Sequence, residues 1–413
     1  MVNSPKIFKI LKSSKTNQVY FDHNATTPLL EDLVHLIPVW LQEWGNPSSI
    51  HWASRGPKSY IRESREKIAN SINCHPLEII FTSGGSESNN LALHGVFEAQ
   101  LLKGIKPNQM HFVTSTIEHP SVIKSLDNLE ALGAKVSRVS VNRNGVFDIE
   151  QLNILLSLTE YNNKNHNPIE IKFKMVSVQY ANNETGFILP IQKIAELTKN
   201  YGALFHSDIV QGYGKIPVDL EKLNVNLASI SAHKFYGLKG TGALFVQKGV
   251  SINPIIFGGG QERRRRGGTE NVLGIQAFGY NSQYLNQVEE QGARVLELRQ
   301  ILENRVLSEI SQSELTGGKA QRLPNTSSFV IAGVDGETLL MRLDLDGFAV
   351  STGAACSSGS PEPSPVLLAI GLSRKEAQSS LRVSLGWETT IDEVHRFVDQ
   401  LKIIVQQLRK VQI

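Results

Sequence analysis

The sequence contains few cysteines, little net charge and no long apolar run, and each of these absences excludes a class of protein. Two cysteines in 413 residues exclude a disulfide framework and favour a reducing compartment, so we expect a cytoplasmic protein. No apolar stretch approaches the roughly 20 residues of a membrane span. A net charge of +3 does not predict binding to nucleic acid or to a membrane surface. With 40% hydrophobic residues, the chain is globular in composition and long enough for two domains.

The first 21 residues are basic and contain no acidic residue. They lack the apolar core of a secretory signal, and they lack the arginines that are usual in a transit peptide. We therefore interpret this segment as a solvated basic tail, whose role the sequence does not specify.

Short apolar runs alternate with helical patterns between residues 79 and 250. This alternation predicts βαβ units and a mostly parallel sheet. The predicted strands cover residues 78–81, 110–114, 173–178, 203–205 and 227–231, with an antiparallel strand at 242–246. A helical pattern over 282–312 leads into a second domain with strands near 326–331 and 381–385 and a final helix from 391 to about 408. The polar tract within 157–170 indicates a surface loop insertion.

A lysine and an aspartate each follow an apolar run that is typical of a buried strand. Lys234 closes the sequence Ser-Ala-His-Lys, and Asp208 and Gln211 form an Asp-x-x-Gln pair upstream. Ligands of open α/β sheets bind outside the carboxyl ends of the strands, so these side chains are expected to share a site. A Schiff-base lysine and an acidic group at the ring nitrogen are the protein partners of pyridoxal 5'-phosphate (PLP). Alone, the two residues would be a surface lysine and a capping aspartate; together they predict a PLP site.

Three further segments place polar residues after predicted strands. Gly85 and Ser86 open a helix whose backbone N–H groups favour an anion, although a glycine turn with a serine N-cap is the simpler interpretation. His119 is either a loop histidine or a group that stacks on a cofactor ring and transfers protons. Asn183, in Asn-Asn-Glu-Thr-Gly, belongs either to a plain turn or to a contact with cofactor and substrate.

Two residues of the C-terminal part have chemical potential. Arg382 is a lone charge in a strand-like run, which suits either an outward-facing residue or a bidentate clamp on a substrate carboxylate. Cys356 lies in a loop of small residues, where an exposed nucleophilic thiol is expected rather than a buried structural one. Cys74, at a helix end, is interpreted as structural.

Four arginines at 263–266 lie between two groups of glycines. A charge run is usually a solvated face, but the glycines indicate backbone that closely approaches a phosphate or a partner subunit. No Cys-x-x-Cys or His-Glu-x-x-His motif occurs, and no Gly-x-Ser-x-Gly elbow follows a strand. We therefore expect neither a metal site nor a serine hydrolase.

Seven segments together resemble the cysteine desulfurases. More narrowly, they resemble group I, the type that serves iron–sulfur cluster assembly and nitrogenase maturation, within the class V aminotransferase group of PLP enzymes. The similarity runs from about residue 20 to about 408. The segments are residues 21–28, 45–49, 82–89, 182–186, 208–211, 231–234 and 353–360.

The resemblance implies a homodimer with an α/β fold, the PLP-dependent transferase fold type I. A mostly parallel sheet would form a large PLP-binding domain over residues 30–289. Residues 1–29 and 290–413 would form a smaller α+β domain that carries the Cys356 loop. By matching positions, Lys234 would bear the cofactor and Asp208 would pair with its ring nitrogen. The other implied roles are the ring hydroxyl for Gln211, ring stacking for His119, the phosphate for Gly85, Ser86, Ser231, His233 and, from the other subunit, Thr269, and the substrate for Asn183, Arg382 and Asn46.

The implied reaction converts L-cysteine to L-alanine. Lys234 would remove the Cα proton, and Cys356 as a thiolate would attack the substrate sulfur and become a persulfide. The persulfide would then pass to an iron–sulfur scaffold or another sulfur-acceptor protein. The family's Ser-Gly-Ser-Ala-Cys and Ser-Gly-His-Lys read here as Ser-Thr-Gly-Ala-Ala-Cys and Ser-Ala-His-Lys, which are modest departures. The acceptor, and any need for an activator, are not specified by the sequence.

Two alternatives remain open at this stage. An aminotransferase, or a lyase that cleaves selenocysteine or cystine, needs no loop thiol, so Cys356 argues against both without excluding selenocysteine as a second substrate. A non-enzymatic sulfur carrier with a decayed site is disfavoured by Lys234, Asp208 and His119, and bound PLP would distinguish it.

Overall fold

The computed structural model describes residues 8–11, 17–162, 167–352 and 362–411. Its strands, in chain order, are β1 (Val19–Tyr20), β2 (Ile79–Thr82), β3 (Met110–Ser115), β4 (Lys135–Val139), β5 (Glu160–Asn162), β6 (Pro168–Glu170), β7 (Phe173–Ser177), β8 (Leu204–Asp208), β9 (Leu227–Ser231), β10 (Gly242–Val246), β11 (Ser313–Leu315), β12 (Thr326–Ile331), β13 (Phe348–Ala349) and β14 (Ser380–Ser384).

The α-helices, in chain order, are α1 (Glu31–Trp40), α2 (Arg55–Ser71), α3 (Gly85–Leu102), α4 (Pro120–Ala131), α5 (Ile149–Ser157), α6 (Ile191–Asn200), α7 (Leu220–Leu223), α8 (Gln261–Arg264), α9 (Val272–Ser282), α10 (Val288–Glu309), α11 (Gly336–Leu345), α12 (Pro365–Ala369), α13 (Arg374–Gln378) and α14 (Ile391–Val411). Short 3-10 helices cover Trp52–Ser54, Pro76–Glu78, Pro107–Gln109, Ala232–Lys234 and Gln283–Gln287. Within the described ranges, no helix is long and apolar enough to cross a membrane.

A sheet of seven strands in the order β2-β10-β9-β8-β7-β3-β4 forms the centre of the molecule. Neighbouring strands are parallel except at β10, which is antiparallel to both β2 and β9. Successive residues of a strand point to opposite faces. Ile79 and Phe81 accordingly join one hydrophobic cluster and Ile80 the other. Burial on both faces explains why these strands read as continuous apolar runs.

The carboxyl ends of β2, β3, β7, β8 and β9 meet at one edge of this sheet, because these strands share one direction. The register brings Thr82 and Ser231 level with each other, since both lie opposite Gly242. A Cβ at Gly242 would lie 2.6 Å from the Cα of Gly84, so only glycine lets the loop after β2 lie this close. The loops at this edge carry the predicted site residues.

A smaller antiparallel sheet, β11-β12-β14, forms in the C-terminal part of the chain. Strand β1 pairs in parallel with β13, so residues 19–20 pack against this part, whereas the backbone N–H groups of Thr27 and Leu30 donate to the carbonyls of His233 and Tyr236 in the loop after β9. The predicted fold class is confirmed: a mostly parallel sheet plus a smaller α+β unit. The domain boundaries at residues 30 and 290 stay a prediction.

Most predicted elements are confirmed, including the antiparallel strand at 242–246. The helical pattern predicted over 282–312 is confirmed, as a 3-10 helix at Gln283–Gln287 followed directly by α10. The predicted strand 203–205 was too short, because β8 continues through the polar residues His206 and Ser207 to Asp208. The insertion within 157–170 contains an antiparallel hairpin, β5–β6, and its residues 163–166 lie outside the described residues.

Candidate active site

A cavity of about 430 Å³ opens at the carboxyl edge of the sheet. Ten of the predicted site residues line it: Gly85, Ser86, His119, Asn183, Asp208, Gln211, Ser231, His233, Lys234 and Arg382. Thr269 and Asn46 are exposed and do not line it, and Asn46 instead accepts a hydrogen bond from the backbone N–H of Ser48 at 2.8 Å. Cys356 lies outside the described residues. The structure thus assembles most of the predicted site within one chain.

One end of the cavity is suited to an anion. Gly84 has a φ of +152° and precedes α3, whose first residues, Gly85 and Ser86, border the cavity. The first backbone N–H groups of a helix have no intrahelical partner, and the helix dipole favours negative charge there. The hydroxyl of Ser231, 2% exposed, has no hydrogen-bond partner among the described residues. A buried hydroxyl beside a helix N-terminus matches the donor set that a phosphate group requires.

Asp208 lies at the end of β8 and is 6% exposed. Its Oδ1 accepts from the backbone N–H of Val210 at 3.0 Å, and its Oδ2 accepts from Asn89 Nδ2 at 2.7 Å. The same Asn89 nitrogen donates to Ser121 Oγ at 2.8 Å, and Ser121 Oγ lies 2.7 Å from His119 Nδ1. A continuous hydrogen-bond network therefore joins the aspartate to the histidine.

His119 is partly buried and caps α4. Its Nδ1 accepts from the backbone N–H of Ser121 at 3.1 Å, so in the neutral ring the proton lies on Nε2. Burial lowers the pKa of His119; the charge of Lys234 adds to this effect and that of Asp208 opposes it. The imidazole is therefore neutral near pH 7, with its tautomer fixed by the helix cap.

Lys234 lies in the 3-10 turn that follows β9. Its Nζ donates to the backbone carbonyls of Asn24 and Ala25, both at 2.7 Å. Burial, and next the Arg382 guanidinium, lowers the pKa of Lys234 to about 8, while nearby carboxylates oppose the shift. A lysine whose pKa is this low offers a substantial fraction of neutral, nucleophilic amine near neutral pH.

Arg382 is on β14 and is 6% exposed, so it is not the outward-facing strand residue of the simpler interpretation. Its Nη2 donates to Asp22 Oδ1 at 2.6 Å and its Nη1 to the backbone carbonyl of Asn183 at 3.1 Å. Glu184 borders the same cavity, and burial raises its pKa to about 7 despite a hydrogen bond from Ser364 and the charge of Arg382. The guanidinium is thus held in place for a carboxylate ligand.

Asn24 connects the elements around the cavity, although the sequence did not single it out. Its side-chain nitrogen donates to the backbone carbonyl of Asn183 at 3.0 Å and to Thr326 Oγ1 at 2.9 Å. Its own backbone carbonyl accepts from Lys234 and from Gln211 Nε2. Other residues that sequence reasoning missed are Asp22, Asn89, Ser121, Glu184 and Lys215. Asp22, Asn89 and Glu184 lie within segments that resemble the family, and Asn89 also lies four residues after Gly85 on one face of α3, whereas Ser121 and Lys215 had no signal.

The arginine run at 263–266 is partly solvated, since Arg263 and Arg264 are exposed while Arg265 and Arg266 are half-buried, and in this chain it does not line the cavity. Arg263 donates to the backbone carbonyls of Leu77 and Ile79, and Arg266 pairs with Glu87 at 2.9 Å. The glycines beside the run approach each other: a Cβ at Gly267 would lie 2.6 Å from the nitrogen of Gly258. Within the chain, the run therefore fastens this segment to the start of β2 and to the first turn of α3.

Comparison with known proteins identifies the class first. A family model described as "Aminotransferase class-V" matches residues 19–397. A solved "NifS-like protein" superimposes with a TM-score of 0.84 at 34% identity, covering 94% of this chain and 100% of that one. Enzymes of this class use PLP.

The particular family follows from a relative in sequence. The chain is 42% identical over 396 residues to "Cysteine desulfurase IscS" of Dictyoglomus turgidum, covering 95% of this chain and 96% of that protein. The structure described as "SspA in complex with cysteine" matches with a TM-score of 0.74 and 30% identity over 89% of this chain and 98% of that one. The chain belongs to the cysteine desulfurases of the class-V aminotransferase family, and the resemblance of its motifs to that family is confirmed.

Proposed function

We propose that this protein binds PLP in the cavity and converts L-cysteine to L-alanine, with the sulfur retained on Cys356 as a persulfide. One observation carries the proposal: Lys234, with its lowered pKa, and Asp208 border a single cavity whose other end is suited to a phosphate. The relative solved in complex with cysteine supports the choice of substrate.

The residues present fit PLP. Lys234 would hold its aldehyde carbon, and Asp208 would pair with the ring nitrogen. Oδ1 of Asp208 accepts one hydrogen bond, from the backbone N–H of Val210, so the carboxylate can accept another from the ring nitrogen. The unpartnered hydroxyl of Ser231 and the first N–H groups of α3 would hold the phosphate, with His233 beside them. When bound, the cofactor supplies an electron sink that makes the substrate Cα proton removable.

The side chains of the chain then have separate tasks. Arg382, which is oriented by Asp22, binds the substrate carboxylate together with Asn183. The amine of Lys234, once released, takes the Cα proton, which its lowered pKa permits near neutral pH. His119 lies at the other end of the hydrogen-bond network that begins at Asp208. Its ring is neutral and carries the proton on Nε2, and from this position it would transfer protons during the reaction.

The sulfur transfer balances without an added oxidant. The thiolate of Cys356 attacks the sulfur of the bound cysteine, so that an S–S bond forms and the substrate C–S bond breaks. The electron pair of the broken bond stays with the substrate carbon, which then takes up a proton to become the methyl group of alanine. The products are L-alanine and a Cys356 persulfide, which a thiol-bearing or scaffold acceptor can remove.

The wider setting of the reaction is part of the same proposal. Thr269 is exposed, as are large apolar side chains such as Ile50 (98%) and Phe257 (83%), which suits a homodimer in which Thr269 reaches the phosphate of the other subunit. The large domain would cover residues 30–289, and the small one residues 1–29 and 290–413. We place the enzyme in the cytoplasm, delivering sulfur to an iron–sulfur scaffold or to another acceptor protein.

The test is the product balance of purified protein given L-cysteine and a reductant. We expect equal amounts of alanine and sulfide from the wild type and from the control variant Cys74→Ala, because burial raises the pKa of the Cys74 thiol to about 12 and leaves it unreactive. Cys356→Ala should form neither product at a comparable rate. Products that persist in Cys356→Ala would instead show direct lyase chemistry.

A further inference from the structure

Lys215 is a buried amine directly behind the residues of the proposed site. It is 7% exposed, and its Nζ donates to Asn24 Oδ1 at 2.8 Å and to Gln211 Oε1. Both acceptors are side-chain amides of residues at the cavity. The backbone carbonyl of Asn24 accepts from Lys234, and Gln211 lines the cavity. A lysine side chain is almost never fully buried unless its amine is paired, as the amine of Lys215 is with these two amides.

The contacts of Lys215 assign the two ends of the Gln211 amide. An amine that donates must face the amide oxygen, and the backbone carbonyl of Asn24, which can only accept, faces Gln211 Nε2 at 3.0 Å. Both constraints give the same orientation of the amide. The first N–H group of Gln211 Nε2 donates to Asn24, and the second N–H group is left for another acceptor. The oxygen of Gln211 is therefore directed at Lys215, and an N–H group is what the amide can offer to the cavity.

The two N–H groups of a neutral amine are enough for this arrangement. Burial lowers the pKa of Lys215 well below its ordinary value; Lys234 and Arg382 add to the shift, and Asp22 opposes it. Even without its third proton, Lys215 has one N–H group for each of its two amide acceptors. The orientation of Gln211 hence does not depend on the charge of Lys215.

We propose that Lys215 is a positioning residue, which holds Gln211 with an N–H group toward the ring oxygen of the bound cofactor and thereby sets the pH at which the linkage of that cofactor to Lys234 titrates. The inference rests on the proposed function, since it concerns the same site. A donor to the ring oxygen stabilises the deprotonated form of the linked cofactor and lowers the pKa of the linkage. Other charged and titratable groups facing Lys234 are Asp22, Asp208, Arg382, His119 and His233, and they remain in place when Lys215 is replaced.

The test is a spectroscopic pH titration of the PLP-loaded full chain in the absence of substrate. The variants are Lys215→Met, Gln211→Met, the double variant, and Lys215→Arg, which keeps N–H donors. Loss of one hydrogen bond predicts that the titration midpoint rises by roughly 0.5 to 1 pH unit in Lys215→Met and in Gln211→Met. Because both act through one donor, the double variant should titrate like Gln211→Met alone, and Lys215→Arg should titrate close to the wild type.

Two results overturn the inference while leaving the proposed function intact. One is a wild-type midpoint in Lys215→Met with a normal cofactor band. The other is a further shift when Lys215→Met is added to Gln211→Met, because the lysine would then act through its charge and not through the amide. A wild-type chain that shows no PLP band contradicts the proposed function and, with it, the inference. Thermal unfolding identifies a variant that fails to fold, and Lys215→Leu then replaces Lys215→Met.

Discussion

Two histidines of this protein differ in position and in contacts, one inside the central sheet and the other in the loop between β3 and α4. His206, in the middle of β8, is fully buried, and both ring nitrogens are paired: Nδ1 with Ser177 Oγ at 2.8 Å and Nε2 with Ser229 Oγ at 2.9 Å. His119, at the carboxyl edge, commits one nitrogen to its helix cap and borders the cavity with the rest of the ring. Both have a lowered pKa and both are neutral near pH 7.

The comparison shows that burial and a shifted pKa do not by themselves mark a functional residue. In the sheet interior, His206 links three adjacent strands through hydroxyl groups, and nothing else can reach it. At the edge, His119 is joined to Asp208 by the Asn89–Ser121 network and retains an atom for a ligand. The interior should therefore determine stability, and the edge should determine turnover.

The largest expected effect lies at the edge. Replacing Lys234 by Ala removes the nucleophile and base of the proposed reaction, so turnover should fall by about 10²–10⁴-fold or more. The thermal stability should change little, because the substitution removes a partly buried cation and leaves no charge without a partner. Steady-state alanine formation and thermal unfolding measure the two quantities, and the exposed Lys239→Ala is the matched control. An active Lys234→Ala variant would remove this lysine from the mechanism.

A pair of histidine variants tests the comparison itself. His206→Leu leaves the hydroxyls of Ser177 and Ser229 buried without their partner, which should reduce the free energy of unfolding by about 1–3 kcal/mol while folded protein keeps its turnover. His119→Gln should have the opposite pattern, with turnover lowered by roughly 10²-fold and stability nearly unchanged. Denaturant titration combined with kinetics separates the two effects. Equal losses of stability and turnover in both variants would refute the distinction.

Acid gives a third way to sharpen the comparison, through a dependence of the free energy of unfolding on pH. Burial lowers the pKa of His206 to about 3 from an ordinary value of 6.5, so the unfolded chain binds a proton there before the folded chain does. This contribution to stability is complete above pH 6.5 and is lost as the pH falls toward about 3, with a slope of up to about 1.4 kcal/mol per pH unit. Denaturant titrations at several pH values should show a shallower slope in His206→Leu than in the wild type. Identical slopes would mean that His206 does not titrate as described.

The sheet and the site edge could be predicted because apolar runs and strand-ending polar residues are local signals. Each of three site residues lies at or just after the end of a strand that is predicted by its own apolar run: Asp208, Lys234 and Gly85. Strand β8 was cut short for the same reason, since His206 looks polar until its partners on two other strands are known.

The missed residues depend on contacts between distant parts of the chain. The backbone N–H of Asn24 bonds to Ser384, 360 residues away, and Asp22 meets Arg382 at the same separation. Both residues lie in the segment 21–28 that resembles the family, but neither differs locally from an ordinary loop residue, so the sequence does not assign a role to either one. Lys215 likewise has meaning only because its amine meets Asn24 and Gln211 in the folded chain.

The most direct test of the account is the mass of the intact protein after a single turnover with L-cysteine and no added reductant. The account predicts that the chain gains one sulfur atom, that peptide mapping places this atom on Cys356, and that Cys74 stays unmodified. An equivalent of alanine formed with no sulfur on the protein, or with the sulfur on Cys74, would contradict it.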